Sequence, residues 1–201
     1  MSGKGKKMLI GVLALQGAFR EHEKMVRGCG ENIEARQIRL PGQLEGLDGL
    51  IIPGGESTTM GKLMIEFGLL DPIRERAGAG LPIFGTCAGL IMLAREINGS
   101  QQPRLGLMDL LVERNAFGRQ VESFETDLEV PVLGPDPLRA VFIRAPYIME
   151  AGPGVEVLAR FGEKIVCARQ GRFLAAAFHP ELTGDGRLHR YFLKIAEEKT
   201  D

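Results

Sequence analysis

The first hundred residues alternate short apolar runs with stretches that carry a helical stripe. Met8 to Leu15 is apolar without alternation, the pattern of a strand covered on both faces. A polar helix pattern follows from Phe19 to Arg27 and stops at Gly28-Cys29-Gly30, and Ile33 to Ile38 reads as a weaker strand. Gly49 to Ile52 is a short buried strand broken by Pro53-Gly54-Gly55. Met60, Leu63, Met64, Phe67 and Leu70 then fall on one stripe of a helix, and Asp71 and Pro72 open another. Leu81 to Phe84 is a fourth strand, with Leu90 to Ile97 read as the helix after it. Strands alternating with helices predict a parallel sheet covered on both faces.

Beyond Gly99 the pattern turns to strands. Leu107 to Arg114, Gln120 to Leu128, Leu138 to Ile143, Val155 to Ala159, Ile165 to Ala168 and Arg172 to Phe178 all read so, with turn residues between most of them. This half should extend or flank the sheet in mixed orientation. Asp185 is the expected cap of a last helix from Arg187 to Glu198, with Leu188, Tyr191, Phe192 and Ile195 as its apolar face. The reading is α/β: one domain over residues 1–201, with a mixed, mostly parallel sheet and helices on both faces. Residues 1–7, which include Lys4, Lys6 and Lys7, are expected to form a flexible basic tail.

Composition narrows the function. Of 201 residues 44% are hydrophobic, enough for a sizeable core. A formal net charge of -1 argues against a nucleic-acid protein, which would be basic. No apolar run reaches the length of a membrane span. Three cysteines are too few and too scattered for a disulfide framework or a zinc site, which points to a reducing cytoplasm and to no bound metal.

The candidate chemistry sits in three places. Gly85-Thr86-Cys87-Ala88-Gly89 lies between an apolar strand and a helix, where a G-x-nucleophile-x-G turn pushes the central side chain out of the sheet. Cys29 and Cys167 lie at a helix end and within a strand, and read as structural. Of the three histidines, His22 falls in the polar helix pattern and His189 in the terminal helix, so both are expected at the surface. His179 instead ends an apolar run, where functional side chains of open α/β sheets collect, with Glu181 two residues on to orient it. The third place is Pro53-Gly54-Gly55-Glu56-Ser57-Thr58. Gly54 and Gly55 can turn backbone N–H groups toward an oxyanion, Ala88 can supply the second donor, and Ser57 or Thr58 can cap the next helix.

Together these segments resemble the class I (triad) glutamine amidotransferase family. Within it, the chain is most similar to the branch serving pyridoxal 5′-phosphate synthesis (vitamin B6). The narrower likeness rests on Leu13-Ala14-Leu15-Gln16-Gly17, Pro53-Gly54-Gly55-Glu56-Ser57-Thr58, Arg114-Asn115-Ala116-Phe117-Gly118-Arg119-Gln120, Phe142-Ile143-Arg144-Ala145-Pro146 and Phe178-His179-Pro180-Glu181-Leu182. The resemblance implies a flavodoxin-like three-layer fold and hydrolysis of L-glutamine to L-glutamate and ammonia. Cys87 would be the nucleophile, His179 the base and Glu181 its partner. Gly55, Glu56, Ser57, Arg114, Ile143 and Arg144 would bind glutamine. It implies no cofactor, and as partner a (β/α)8-barrel pyridoxal 5′-phosphate synthase subunit in a hetero-oligomeric complex. Ammonia made without an acceptor is wasted, so the isolated chain should be a poor glutaminase, with Gln16 the candidate for relaying partner contact to Gly54-Gly55. Two alternatives stay open: a glutaminase serving another amidotransferase, and a cysteine peptidase or deglycase of the same superfamily. The latter branch usually has histidine directly after its cysteine, where this chain has Ala88.

Overall fold

The computed structural model describes residues 7–114 and 123–198. Its strands are β1 (Met8–Leu13), β2 (Ile33–Ile38), β3 (Gly49–Ile52), β4 (Ile83–Thr86), β5 (Ala94–Ile97), β6 (Met108–Glu113), β7 (Ser123–Leu128), β8 (Leu138–Ile143), β9 (Tyr147–Ala151), β10 (Glu156–Phe161), β11 (Lys164–Gln170) and β12 (Phe173–Ala176). The helices are α1 (Phe19–Gly28), α2 (Ser57–Glu66), α3 (Leu70–Gly78), α4 (Ala88–Leu93) and α5 (Arg187–Glu197).

The main sheet runs β2-β1-β3-β4-β12-β11-β9-β6-β5, with β10 paired to β11. From β2 to β12 all pairings are parallel, in the flavodoxin-like order. β11, β9 and β6 continue it antiparallel, and β5 closes it parallel to β6. β7 and β8 form a separate antiparallel ribbon. The β-rich half therefore both extends and flanks the sheet.

Period-two alternation divides the parallel strands between two cores. Leu50, Ile52 and Ile83 face one layer with Met60, Met64, Ile73 and Leu90 of α2, α3 and α4. Ile51, Phe84 and Leu174 face the other with Val26 of α1 and Leu188 and Phe192 of α5. Helices on both faces explain why these strands read as unbroken apolar runs. The carboxyl ends of β1, β3, β4 and β12 lie side by side, and the site forms there.

Four expectations need correction. The helix read over Leu90–Ile97 ends at Leu93, and Ala94–Ile97 runs on as edge strand β5, paired with β6. The apolar run suited either state, and tertiary pairing decided it. β9 was not foreseen: Tyr147–Ala151 lacks alternation, and it is a strand because β6 and β11 flank it. β1 stops at Leu13 rather than Leu15. Gly186, not Asp185, is the N-cap of α5; Asp185 accepts from the Arg187 N–H at 3.0 Å from one residue further out and pairs with the Arg187 guanidinium. Of the expected basic tail only Lys7 is among the described residues, and its ammonium pairs with Glu34 at 2.6 Å. Residues 120–122 of the expected strand Gln120–Leu128 also lie outside them.

Candidate active site

β4 delivers Cys87 into a backbone conformation few side chains adopt, with φ 50° and ψ −104°. Two glycines permit it. A Cβ on Gly85 would lie 2.5 Å from the Gly89 carbonyl, and a Cβ on Gly89 would collide with the carbonyl oxygen of Ile52. Both positions flanking the cysteine thus require the absence of a side chain. The Cys87 N–H donates to the Ala176 carbonyl at 2.8 Å, tying the turn to β12.

β12 leads into His179, whose backbone N–H donates to Val141 of β8 at 2.8 Å. Pro180–Leu182 forms a single 3-10 turn that brings Glu181 back under the imidazole, with His179 Nδ1 2.7 Å from Glu181 Oε1. Cys87 shares the cavity wall with His179, and its Sγ lies 3.9 Å from the Ile143 carbonyl oxygen. Burial alone would lower the His179 pKa, but the hydrogen bonds and charges of Cys87 and Glu181 outweigh it and hold it well above the ordinary imidazole range. The ring is thereby kept as an imidazolium between Cys87 and Glu181. Gly54 packs against this pair: a Cβ there would run into the His179 ring and lie 3.2 Å from Cys87 Cβ.

The other two cysteines are chemically quieter. Complete burial pushes the Cys167 thiol up to about 12. Burial also raises Cys29, against the pull of Arg190, and its Sγ lies 3.2 Å from the Met25 carbonyl oxygen.

Cys87 and His179 open into a cavity of about 260 Å³, near the lower end of small-molecule sites. Gly55, Glu56, Ser57, Arg114, Ile143 and Arg144 all line it, and so do Ile91 and Pro146, which sequence reasoning missed. Arg144 has φ 41°, a second strained residue at the rim. Of the Arg114 motif, residues 115–120 lie outside the described residues.

The loop after β3 is braced from behind. Gln16 Nε2 donates to the Glu56 carbonyl at 2.7 Å, and the Glu56 N–H donates back to Gln16 Oε1 at 3.2 Å. Gly17, with φ 81°, lies so close to Gly54 that any Cβ would strike its carbonyl oxygen. Gln16 therefore holds the Gly54-Gly55 loop rather than merely ending a strand. The cap of α2 is Glu56 itself, not Ser57 or Thr58. Its carboxylate accepts from the Thr58 and Thr59 N–H groups at 2.9 and 2.7 Å and from the Thr59 hydroxyl. Although burial works to raise the Glu56 pKa, these bonds hold it at about 2.

Ser57 and Thr58 instead donate to Gln102 Oε1 at 3.4 and 3.2 Å, which also accepts from Arg114 Nη1 at 2.7 Å. Gln102 fixes the arginine that faces the cavity. Nothing in the local pattern marked it, because it is brought in by a loop from forty-four residues beyond Thr58.

The expectation that His22 and His189 are surface residues is wrong: both are fully buried. On α1 His22 stands four residues before Val26 and occupies the inward stripe where an apolar residue was sought. His189 stands four before Leu193 and widens the apolar face of α5. A buried imidazole is tolerated when hydrogen-bonded, and these are. His22 Nδ1 lies 2.9 Å from His189 Nε2, and His22 Nε2 lies 3.0 Å from Thr86 Oγ1 and 3.3 Å from Glu181 Oε2. Among the described residues, no group of three or more His, Cys, Asp or Glu side chains could hold a metal ion, and no helix is long and apolar enough to cross a membrane.

Comparison with known proteins identifies the family. The family model of the SNO glutamine amidotransferases matches residues 12–198. A pyridoxal 5′-phosphate synthase subunit PdxT of Pelotomaculum thermopropionicum is 72% identical over 187 residues, 93% of this chain and 94% of that protein. The subunit of the same name from Desulforamulus reducens is 65% identical over 94% of this chain and 99% of its own length. A crystal structure described as a glutamine amidotransferase superposes with a TM-score of 0.88 at 57% identity, covering 94% of this chain and 99% of that one.

Proposed function

The chain belongs to the SNO glutamine amidotransferase family, and from that premise we propose how its residues hydrolyse L-glutamine to L-glutamate and ammonia as the glutaminase subunit of a pyridoxal 5′-phosphate synthase. The observation that carries the assignment of roles is the single cavity into which Cys87, His179, Gly55, Arg114 and Arg144 all open. The Cys87 thiolate attacks the side-chain carboxamide carbon. The resulting oxyanion is met by backbone N–H groups of Gly54 or Gly55 and of Ala88. The His179 imidazolium gives its proton to the departing nitrogen, ammonia leaves, and a γ-glutamyl thioester remains on Cys87. Water then attacks the thioester with His179 as base, releasing glutamate and restoring the thiolate. Glu181 holds the His179 tautomer throughout and balances the imidazolium.

Arg114 and Arg144 are the groups for the substrate α-carboxylate, and Gln102 aims the first of them. The Glu56 carboxylate is committed to capping α2 and its main chain to Gln16, so Glu56 serves glutamine by shaping the cavity wall beside Ser57 and Ile143. We assign residues 1–201 to one glutaminase domain. Its partner is a synthase subunit of (β/α)8-barrel form, in a hetero-oligomeric complex that takes up the ammonia. Three free cysteines suit a reducing compartment, and we place the reaction in the cytoplasm.

The test is ammonia release from glutamine by the chain alone and with saturating synthase subunit. Turnover that rises on adding the subunit supports the reading. Absence of turnover in both conditions overturns it. Activation that is lost in Gln16→Ala would assign the relay to the Gln16 brace; activation that survives would remove Gln16 from it.

A further inference from the structure

All three histidines of the chain lie on one line of contacts that ends at the cysteine. His179 uses Nδ1 on Glu181 Oε1, at 2.7 Å. The other carboxylate oxygen, Oε2, is buried and makes no hydrogen bond, and His22 Nε2 stands 3.3 Å from it. His22 in turn meets Thr86, the neighbour of Cys87, and His189. Neither His22 nor His189 reaches the cavity.

Resting on the Cys87–His179–Glu181 reading, we infer that His22 is a positioning residue for the reaction: its Nε2–H, shared with Thr86 Oγ1, faces Glu181 Oε2, and His189 fixes the tautomer that keeps it there. Burial, reinforced by the charges of His189 and His179, lowers the His22 pKa well below its ordinary value, and burial with Arg190 takes His189 to about 3. Both rings are therefore neutral, each with one N–H. Only two proton arrangements then satisfy the 2.9 Å contact between them. In the first, His189 donates its Nε2–H to His22 Nδ1, and His22 turns its own N–H toward Glu181 and Thr86. This leaves a bare acceptor at His189 Nδ1, which has no partner. In the second, His22 donates to His189, its lone pair faces the carboxylate, and a buried N–H at His189 Nδ1 goes unpaired. An orphaned buried N–H is the rarer defect, and opposed lone pairs at 3.3 Å repel, so the first arrangement holds.

The consequence for catalysis is direct. A carboxylate free to rotate about its last torsion would swing Oε1 away from His179. An N–H facing Oε2 from α1 opposes that rotation by its attraction for the carboxylate. The titratable groups facing Glu181 are His179 from its own turn and the neutral His22 from α1. Glu21, Lys24 and Arg190 line the cavity of about 520 Å³ on its outer side. Removing the His22 N–H takes its positive edge away from the buried Oε2, which should shift the pH dependence of turnover.

Two measurements decide. In the full chain labelled with ¹⁵N-histidine, His22 and His189 are expected as neutral Nε2–H tautomers that do not titrate between about pH 5 and 8. A Nδ1–H tautomer of His22, or ordinary titration of it, overturns the inference whatever the activity. In the complex with the synthase subunit, His22→Leu should lower kcat about ten- to a hundredfold at unchanged KM, the equivalent of one hydrogen bond to a charged group. Its acidic pH–rate limb should move to higher pH. Gln at position 22 carries an N–H to about the same place, so His22→Gln should restore the limb and most of the rate. Equal losses in both variants with an unmoved limb would make His22 merely structural. Should the leucine variant not fold, the tautomer measurement decides alone. Full turnover in Cys87→Ser would overturn the triad while leaving the tautomers as they are, so the two failures are distinguishable.

Discussion

At the mouth of the site Gly55, Arg114, Ile143 and Arg144 face an open cavity and keep part of their surface in water, whereas behind Glu181 the side chains of His22, Thr86 and His189 have none. The mouth is shaped by backbone. Positive φ values at Gly17, Gly55, Cys87 and Arg144 and close approaches at Gly54, Gly85 and Gly89 place groups that need no burial to work. The back is shaped by side-chain protons in a dry interior, where every donor must have its acceptor. A change at the mouth should therefore alter rate or affinity and leave stability alone. One at the back should alter rate and stability together.

The largest effect belongs to the reacting atoms between the two regions. Cys87→Ser and His179→Asn should each abolish turnover, a loss on the order of 10⁴-fold or more. The serine variant should melt near the wild-type temperature, since it changes one small side chain and keeps the turn. Substantial hydrolysis by Cys87→Ser would break the scheme at its root. Glu181→Gln should come next, with a loss on the order of 10²- to 10⁴-fold in kcat. Unlike Cys87→Ser it should lower the melting temperature, because Glu181 belongs to the buried side.

That division was only half legible in the sequence. The elbow at Cys87 and the His179–Glu181 pair were visible, because glycine pairs, strand ends and local spacing are properties of neighbouring residues, whereas the glutamine-binding candidates came from the family resemblance. The extents of β2, β3 and β8 were visible for the same reason: their apolar pattern is complete within each run. What escaped depends on partners far along the chain. His22 meets His189 across 167 positions, and Gln102 reaches Thr58 across forty-four. β5 and β9 exist through their neighbours in the sheet rather than through their own pattern. A histidine within an inward helical stripe was the one available sign, and counting only apolar residues hid it.

At the mouth, Arg114→Lys keeps the charge but loses the planar fork that bonds Gln102 and Thr58 and faces the cavity. It should reduce kcat/KM about ten- to a hundredfold, mainly through KM, with stability little changed. A fall in kcat alone at unchanged KM would move Arg114 out of glutamine binding.

The smallest effect is a difference in acid sensitivity between the regions, read by equilibrium unfolding against pH. His189, pushed from 6.5 to about 3, binds a proton more readily when unfolded. Its contribution is full above about pH 6.5 and falls by about 1.4 kcal/mol per pH unit below that, with His22 acting in the same direction. Glu56, held at about 2 against an ordinary 4.5, contributes fully above pH 4.5 and loses its share only as the pH falls toward 2. Glu56→Ala should cost about 1 kcal/mol at neutral pH, as for other lost N-caps, and leave the limb beginning near pH 6.5 untouched. Stability flat from pH 6.5 to 4.5 would contradict neutral burial of the two histidines.

The central claim, a thiol glutaminase built on Cys87, is tested most directly by treating the complex with a glutamine-derived electrophile and mapping the modified peptide while following residual turnover. One label per chain on Cys87, with glutamine hydrolysis lost in proportion and glutamine protecting, is the expected result. Cys29 and Cys167, whose thiols burial raises, should remain unmodified. Labelling of Cys29 or Cys167 at an equal rate, or full hydrolysis by chains already labelled at Cys87, would contradict it.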